Sequence, residues 1–124
     1  MPPQLGFATL RIPHDSTSTK GYLVEAKWRD KQTDQSDLLI FREKVESKST
    51  WGRGLFISYN GFTEDGLTAY SKGRATNIIG MDSQDLFHIL SGEMSLVDAI
   101  NKKVRQAAET GEFFVSVFTL SHGG

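Results

Sequence analysis

The sequence predicts an α/β (α+β) domain, a mixed β-sheet flanked by helices. Three observations predict it. The chain opens with two β-forming runs joined by a polar turn, the pattern of a hairpin. Short β-rich runs then alternate with helical segments, the order that covers a sheet on both faces. Ser, Thr and Asp precede the helical segments and glycines follow them. The 124 residues suffice for a single domain, 1–124, with one core.

The elements follow in order. Residues 7–12 form a first strand, ended by Pro13 and the polar run His14 to Lys20. Tyr22 to Trp28 form the second, antiparallel to the first around a turn near residues 16–19. From Asp37 to Ser49, Leu38, Phe41 and Val45 recur at helical spacing. Leu55 to Tyr59 form a β-rich strand stopped by Asn60-Gly61. Thr63 caps the next helix, with Phe62 and Leu67 at staple spacing and Gly73 as its stop. A short strand lies around Ile78-Ile79. Asp82 caps a helix reaching about Leu90, and Ser95 caps another that Gly111 ends. Phe113 to Leu120 reads as a last strand, whose unpaired edge would invite a homo-oligomer. Residues 121–124 read as a frayed tail.

Composition excludes some functions. Net charge is −1, so nucleic-acid binding would have to come from a local patch rather than a basic surface. There are no cysteines, which removes disulfides and cysteine-ligated zinc. No apolar run approaches the roughly 20 residues of a membrane helix, and Met1 to Gly6 do not resemble a signal peptide. A cytoplasmic protein without a membrane partner is the expectation.

Chemistry concentrates in Tyr22-Leu23-Val24-Glu25-Ala26-Lys27-Trp28. Side chains alternate across a strand, so Leu23, Glu25 and Lys27 share one face. A carboxylate there can hold a hard divalent cation. An ammonium two residues on can hold a phosphate or a water. The bland reading is a cross-strand ion pair on an exposed sheet face. The same spacing in Glu46-Ser47-Lys48 falls near a helix end, where a solvated face is expected. Trp28 and Trp51 have the ring area to stack on bases, although a tryptophan ending a strand also serves for packing. His14, His88 and His122 show no ligand spacing.

The Tyr22–Trp28 strand, Phe41 to Val45, and Gly54-Leu55-Phe56-Ile57-Ser58 with Asn60-Gly61-Phe62-Thr63 resemble the Mrr-type branch of the PD-(D/E)xK restriction-endonuclease-like superfamily. Asn77-Ile78-Ile79, Met81-Asp82 and Asp85-Leu86 fit the same pattern, and the resemblance spans roughly residues 21 to 112. It implies a restriction-endonuclease-like sheet without the usual first helix and strand, residues 1–20 matching poorly. It also implies a Mg²⁺- or Mn²⁺-dependent endonuclease acting on double-stranded DNA. Glu25 and the carbonyl of Ala26 would be metal ligands, and Lys27 the catalytic amine.

The family carries a further acid on the preceding strand. In the expected hairpin the partner of Glu25 falls near Leu10, Arg11 or Ile12, none acidic. Asp15 precedes Glu25 as the one available acid, three or more residues towards the turn, roughly 10 Å along the strand. A metal ligand must approach to about 2.0–2.6 Å, so Asp15 would need a bulge or a bent hairpin. Glu43, on the following helix, is the other candidate. A catalytically inactive binding or assembly module is therefore the alternative. Arg42, Lys44, Lys48 and Arg53 against Glu43 and Glu46 give the 42–53 window a charge of +2. Lys44, Lys48 and Arg53 are the candidates for contacting DNA phosphates. Lys102, Lys103 and Arg105 read as solubilising charges.

Overall fold

In a computed structural model, which describes residues 8–15, 18–47, 53–69 and 77–122, four strands and five helices succeed one another. They are β1 (Ala8–Asp15), β2 (Ser18–Lys27), α1 (Gln35–Glu46), β3 (Gly54–Ser58) and α2 (Glu64–Leu67). After these come β4 (Ile78–Asp82), α3 (Ser83–Leu90), α4 (Leu96–Thr110) and α5 (Val117–His122). The sheet runs β1-β2-β3-β4. The first pair is antiparallel and the other two are parallel, so the mixed sheet and the hairpin are both present.

Register assigns the two faces. Leu23, Gly54 and Ile78 are neighbours across the sheet, as are Glu25, Phe56 and Gly80, and Lys27, Ser58 and Asp82. This face carries one core, in which α1 lays Leu38, Phe41 and Val45 against Leu23 and Phe56. α1 starts where Asp34 accepts from the Asp37 amide and Asp37 returns the bond, a capping box. Gly54 permits the close approach, since a Cβ there would lie 2.7 Å from Val45 Cγ2. The opposite face presents Tyr22, Leu55, Ile79 and Met81 to α4, through Ile100 and Ala107.

Two expectations are corrected. The run from Phe113 to Leu120 is not a strand. The Gly80 amide donates to the Phe113 carbonyl at 2.8 Å, covering the outer edge of β4 at one point, and α5 follows. Phe113 and Val117 are buried in two different core clusters. Their spacing, continued to Leu120, is helical rather than alternating. Among the described residues, the C-terminal run therefore offers no strand edge of the kind expected to recruit a second copy. The helix capped by Thr63 has four residues, and Gly73 lies outside the described residues.

Candidate functional site

Glu25 is 7% exposed, in a strand buried on both faces. Two ammonium groups reach it. Lys27 Nζ, from the same strand, lies 3.4 Å from Oε2, and Lys44 Nζ, from α1, lies 3.6 Å from Oε1. Both exceed the about 2.7–2.9 Å of a strong charge-assisted hydrogen bond, and Oε1 has no hydrogen-bond partner. Lys44 follows Phe41 by three residues, so it stands at the rim of α1's buried face and leans over the sheet. Two ammoniums and one carboxylate leave this group one net positive charge. Such a group attracts a phosphate and retains an acceptor for a cation or a water.

The ends of the strands are tied together around it. Thr33 Oγ1 donates to Ser58 Oγ, and Ser58 Oγ donates to the Gly61 carbonyl, both at 2.7 Å. The Thr33 amide donates to the Gly61 carbonyl and the Thr63 amide to the Thr33 carbonyl, each at 2.9 Å. Gly61 adopts a φ of 81°, which a side chain would strain. Asn60-Gly61-Phe62-Thr63 is therefore the strip that laces the loop after β3 to the loop after β2. Arg29 pairs with Asp37, the residue that also closes the α1 cap.

The remaining predicted residues fall as follows. Val24 pairs with Ala8, so the position opposite Glu25 precedes the described part of β1, and it is not Leu10, Arg11 or Ile12. Asp15 pairs with Ser18 and the register shifts between Pro13 and Asp15, which slides the hairpin from its expected pairing. Asp15 sits opposite Ser18, seven residues from Glu25, roughly 23 Å of strand. That separation takes Asp15 out of any ligand set containing Glu25, and residues 1–14 hold no other acid. Glu43 is exposed on α1. Ala26 directs its amide and carbonyl away from β3, toward the β1 side, because Leu23 and Lys27 bond β3. Arg53 stands at the amino end of β3 beside Tyr22, whose hydroxyl burial pushes up while Arg53 pulls it down. It is on the far side of Leu23 from Glu25, so it does not join the two lysines. Lys48 and Trp51 lie outside the described residues.

Lys103 is not the solubilising charge its neighbours Lys102 and Arg105 suggest. It is 1% exposed and paired with fully buried Asp85 at 2.9 Å. It also donates to the Val115 carbonyl at 2.6 Å, while Asp85 accepts from the Val117 amide at 2.7 Å. Burial pulls the Lys103 ammonium below its ordinary range, against the pull of Asp85. The pair fastens α3, α4 and the C-terminal segment. The signal was present: Ile100, Lys103 and Ala107 lie on one helical stripe.

Among the described residues, no group of three or more His, Asp or Glu side chains could hold a metal ion. Glu25 and the Ala26 carbonyl are two donors. That suits Mg²⁺, which keeps waters and shares one or two carboxylates with substrate phosphates, better than a cation needing a protein cage. No helix of the described residues is long and apolar enough to cross a membrane. No family model, curated protein or solved structure matches the chain.

Proposed function

We propose that the chain is a restriction-endonuclease-like domain of the Mrr type that hydrolyses phosphodiester bonds in DNA with Mg²⁺ or Mn²⁺. One observation carries this reading: a buried carboxylate, one oxygen of which has no hydrogen bond, is flanked by two amines on one sheet face, Glu25 with Lys27 and Lys44. Glu25 and the Ala26 carbonyl would hold the cation, which when bound polarises a phosphoryl oxygen and acidifies a water. Lys27 and Lys44 supply fixed positive charge for the phosphate as its negative charge builds up. Lys27 would orient the attacking water through its ammonium, and Lys44 would hold a non-bridging oxygen. Double-stranded DNA is the substrate class and the cytoplasm the location this reading favours, in keeping with a cysteine-free chain.

The register of Asp15 favours a second reading, a nuclease-like fold that binds without cutting. A plasmid-nicking assay with Mn²⁺ and with Mg²⁺ separates the two. Nicking by the native protein that Lys27→Ala and Glu25→Gln both abolish supports hydrolysis. Intact plasmid after prolonged incubation with excess protein and either metal leaves the binding module.

A further inference from the structure

Beside this site lies an aromatic surface. Trp28 and Tyr59 directly follow Lys27 and Ser58, at the carboxyl ends of two adjacent parallel strands, the end of an open α/β sheet where ligands collect. Trp28 is 53% exposed and Tyr59 is 50% exposed. Their ring centroids are 5.8 Å apart and their planes tilted by 54°. Trp28, Arg29, Asp30 and Tyr59 line a depression of roughly 210 Å³. A larger one, roughly 610 Å³, leads from the same two rings to Phe87. At roughly 210 Å³ the depression between Trp28 and Tyr59 is smaller than the about 300–1,000 Å³ of a drug-sized ligand pocket. Its occupant is therefore small.

The charges at the rim indicate its chemistry. Arg29 Nη2 is engaged by Asp37, and Asp30, exposed next to it, lines the depression with a carboxylate. A second phosphate would be repelled by Asp30. A flat ring with an amino or imino donor on its edge stacks on the aromatic rings and satisfies that carboxylate.

We infer that the depression formed by Trp28, Arg29, Asp30 and Tyr59 receives the base of an unpaired nucleotide. The inference rests on the reading of Glu25, Lys27 and Lys44 as a phosphodiester site, whose substrate it narrows. Consecutive strand residues point to opposite faces, so phosphate at Lys27 and base at Trp28 require the backbone to cross the carboxyl end of β2. An extended single strand, or a nucleotide turned out of a duplex, can follow that path. A stacked base pair cannot.

Fluorescence anisotropy with dye-labelled oligonucleotides in EDTA tests this without any cleavage. The native protein is expected to bind an oligothymidine of about 12 nucleotides at least about ten-fold tighter than an abasic backbone of equal length. Trp28→Ala should erase that difference and leave abasic binding unchanged, and Trp28→Phe should restore most of it. Equal affinity of the native protein for both oligonucleotides overturns the inference, and so does a base preference that survives Trp28→Ala. The nicking assay is scored independently. Cleavage without a Trp28-dependent base preference rejects the pocket alone, and a Trp28-dependent preference without cleavage rejects hydrolysis alone.

Discussion

Lys44 of α1 leans over the sheet to within 3.6 Å of Glu25 Oε1, an oxygen with no hydrogen-bond partner. The helix that covers the sheet thereby contributes to the site on it. Lys44 stays partly open to water, so the pair adds little to stability, about 1 kcal/mol at most. Its effect belongs to the site's charge.

On the proposed reading as a nuclease, Lys44→Ala is expected to lower DNA cleavage by about 10²-fold, the scale seen when one preorganised donor is removed. Chemical denaturation should show nearly unchanged stability. Lys44→Arg should retain much of the rate. An alanine variant as active as the native protein would remove Lys44 from the site.

Divalent-cation binding should depend on Glu25. Titration calorimetry with Mn²⁺ is expected to show one weak site in the native protein, strengthened when a nucleotide phosphate is present. Glu25→Gln should lose it, with an unchanged circular dichroism spectrum. Binding that persists in the glutamine variant would mean that other donors hold the ion.

The Lys103–Asp85 pair governs stability. Lys103→Ala leaves a buried carboxylate uncompensated and should cost about 3–5 kcal/mol, a large part of the about 5–15 kcal/mol available to a domain. Combining Lys103→Met with Asp85→Asn should recover most of it, because the amide oxygen can still accept from Val117. Urea unfolding of the native protein, the single variants Lys103→Met and Asp85→Asn and the double variant provides the comparison, and additive losses in the double variant would contradict the pairing.

Asp82 predicts a pH dependence. Burial holds its carboxyl above the ordinary 3.8, and the Asp85 charge adds to this, while the Asp85 and Gln84 amides and Lys103 oppose it. A raised carboxyl binds more protons in the native state than in the unfolded one. Its contribution is thus full below 3.8 and is lost as pH rises through its native value. Asp82→Asn keeps an oxygen to accept from the Asp85 amide, a bond of 2.9 Å. The variant should lose this component of the stability slope, which sets in as pH rises above 3.8. Identical slopes in the two proteins would show that Asp82 titrates as an ordinary surface acid.

Gly80 tests how the C-terminal segment closes the sheet. A Cβ there would meet Phe113 Cε2 at 2.5 Å and Phe62 Cζ at 3.0 Å. Gly80→Ala should therefore cost about 1–3 kcal/mol by overpacking. Phe113→Leu in that background should return part of it, as read by thermal unfolding. A neutral Gly80→Ala would mean that the Phe113 ring yields freely.

Most of the local elements are legible along the chain. Leu38, Phe41 and Val45 marked α1, Thr63, Asp82 and Ser95 marked helix starts, and Gly111 closed α4 with a φ of 81°. Alternation along β2 placed Glu25 and Lys27 on one face. These signals depend on neighbours a few residues apart, so they are legible in order along the chain. Tertiary structure decided what depends on register and packing. The pairing register of β1 on β2 set Asp15 opposite Ser18, away from Glu25. α1 brought Lys44 to the carboxylate. Lys103 became a core residue because Asp85 and the Val115 carbonyl meet it there. The run from Phe113 to Leu120 folded back onto β4 instead of extending, because Gly80 leaves room for the Phe113 ring. A charge or an apolar run carries no information about which distant group will satisfy it, and only the assembled sheet supplies that partner.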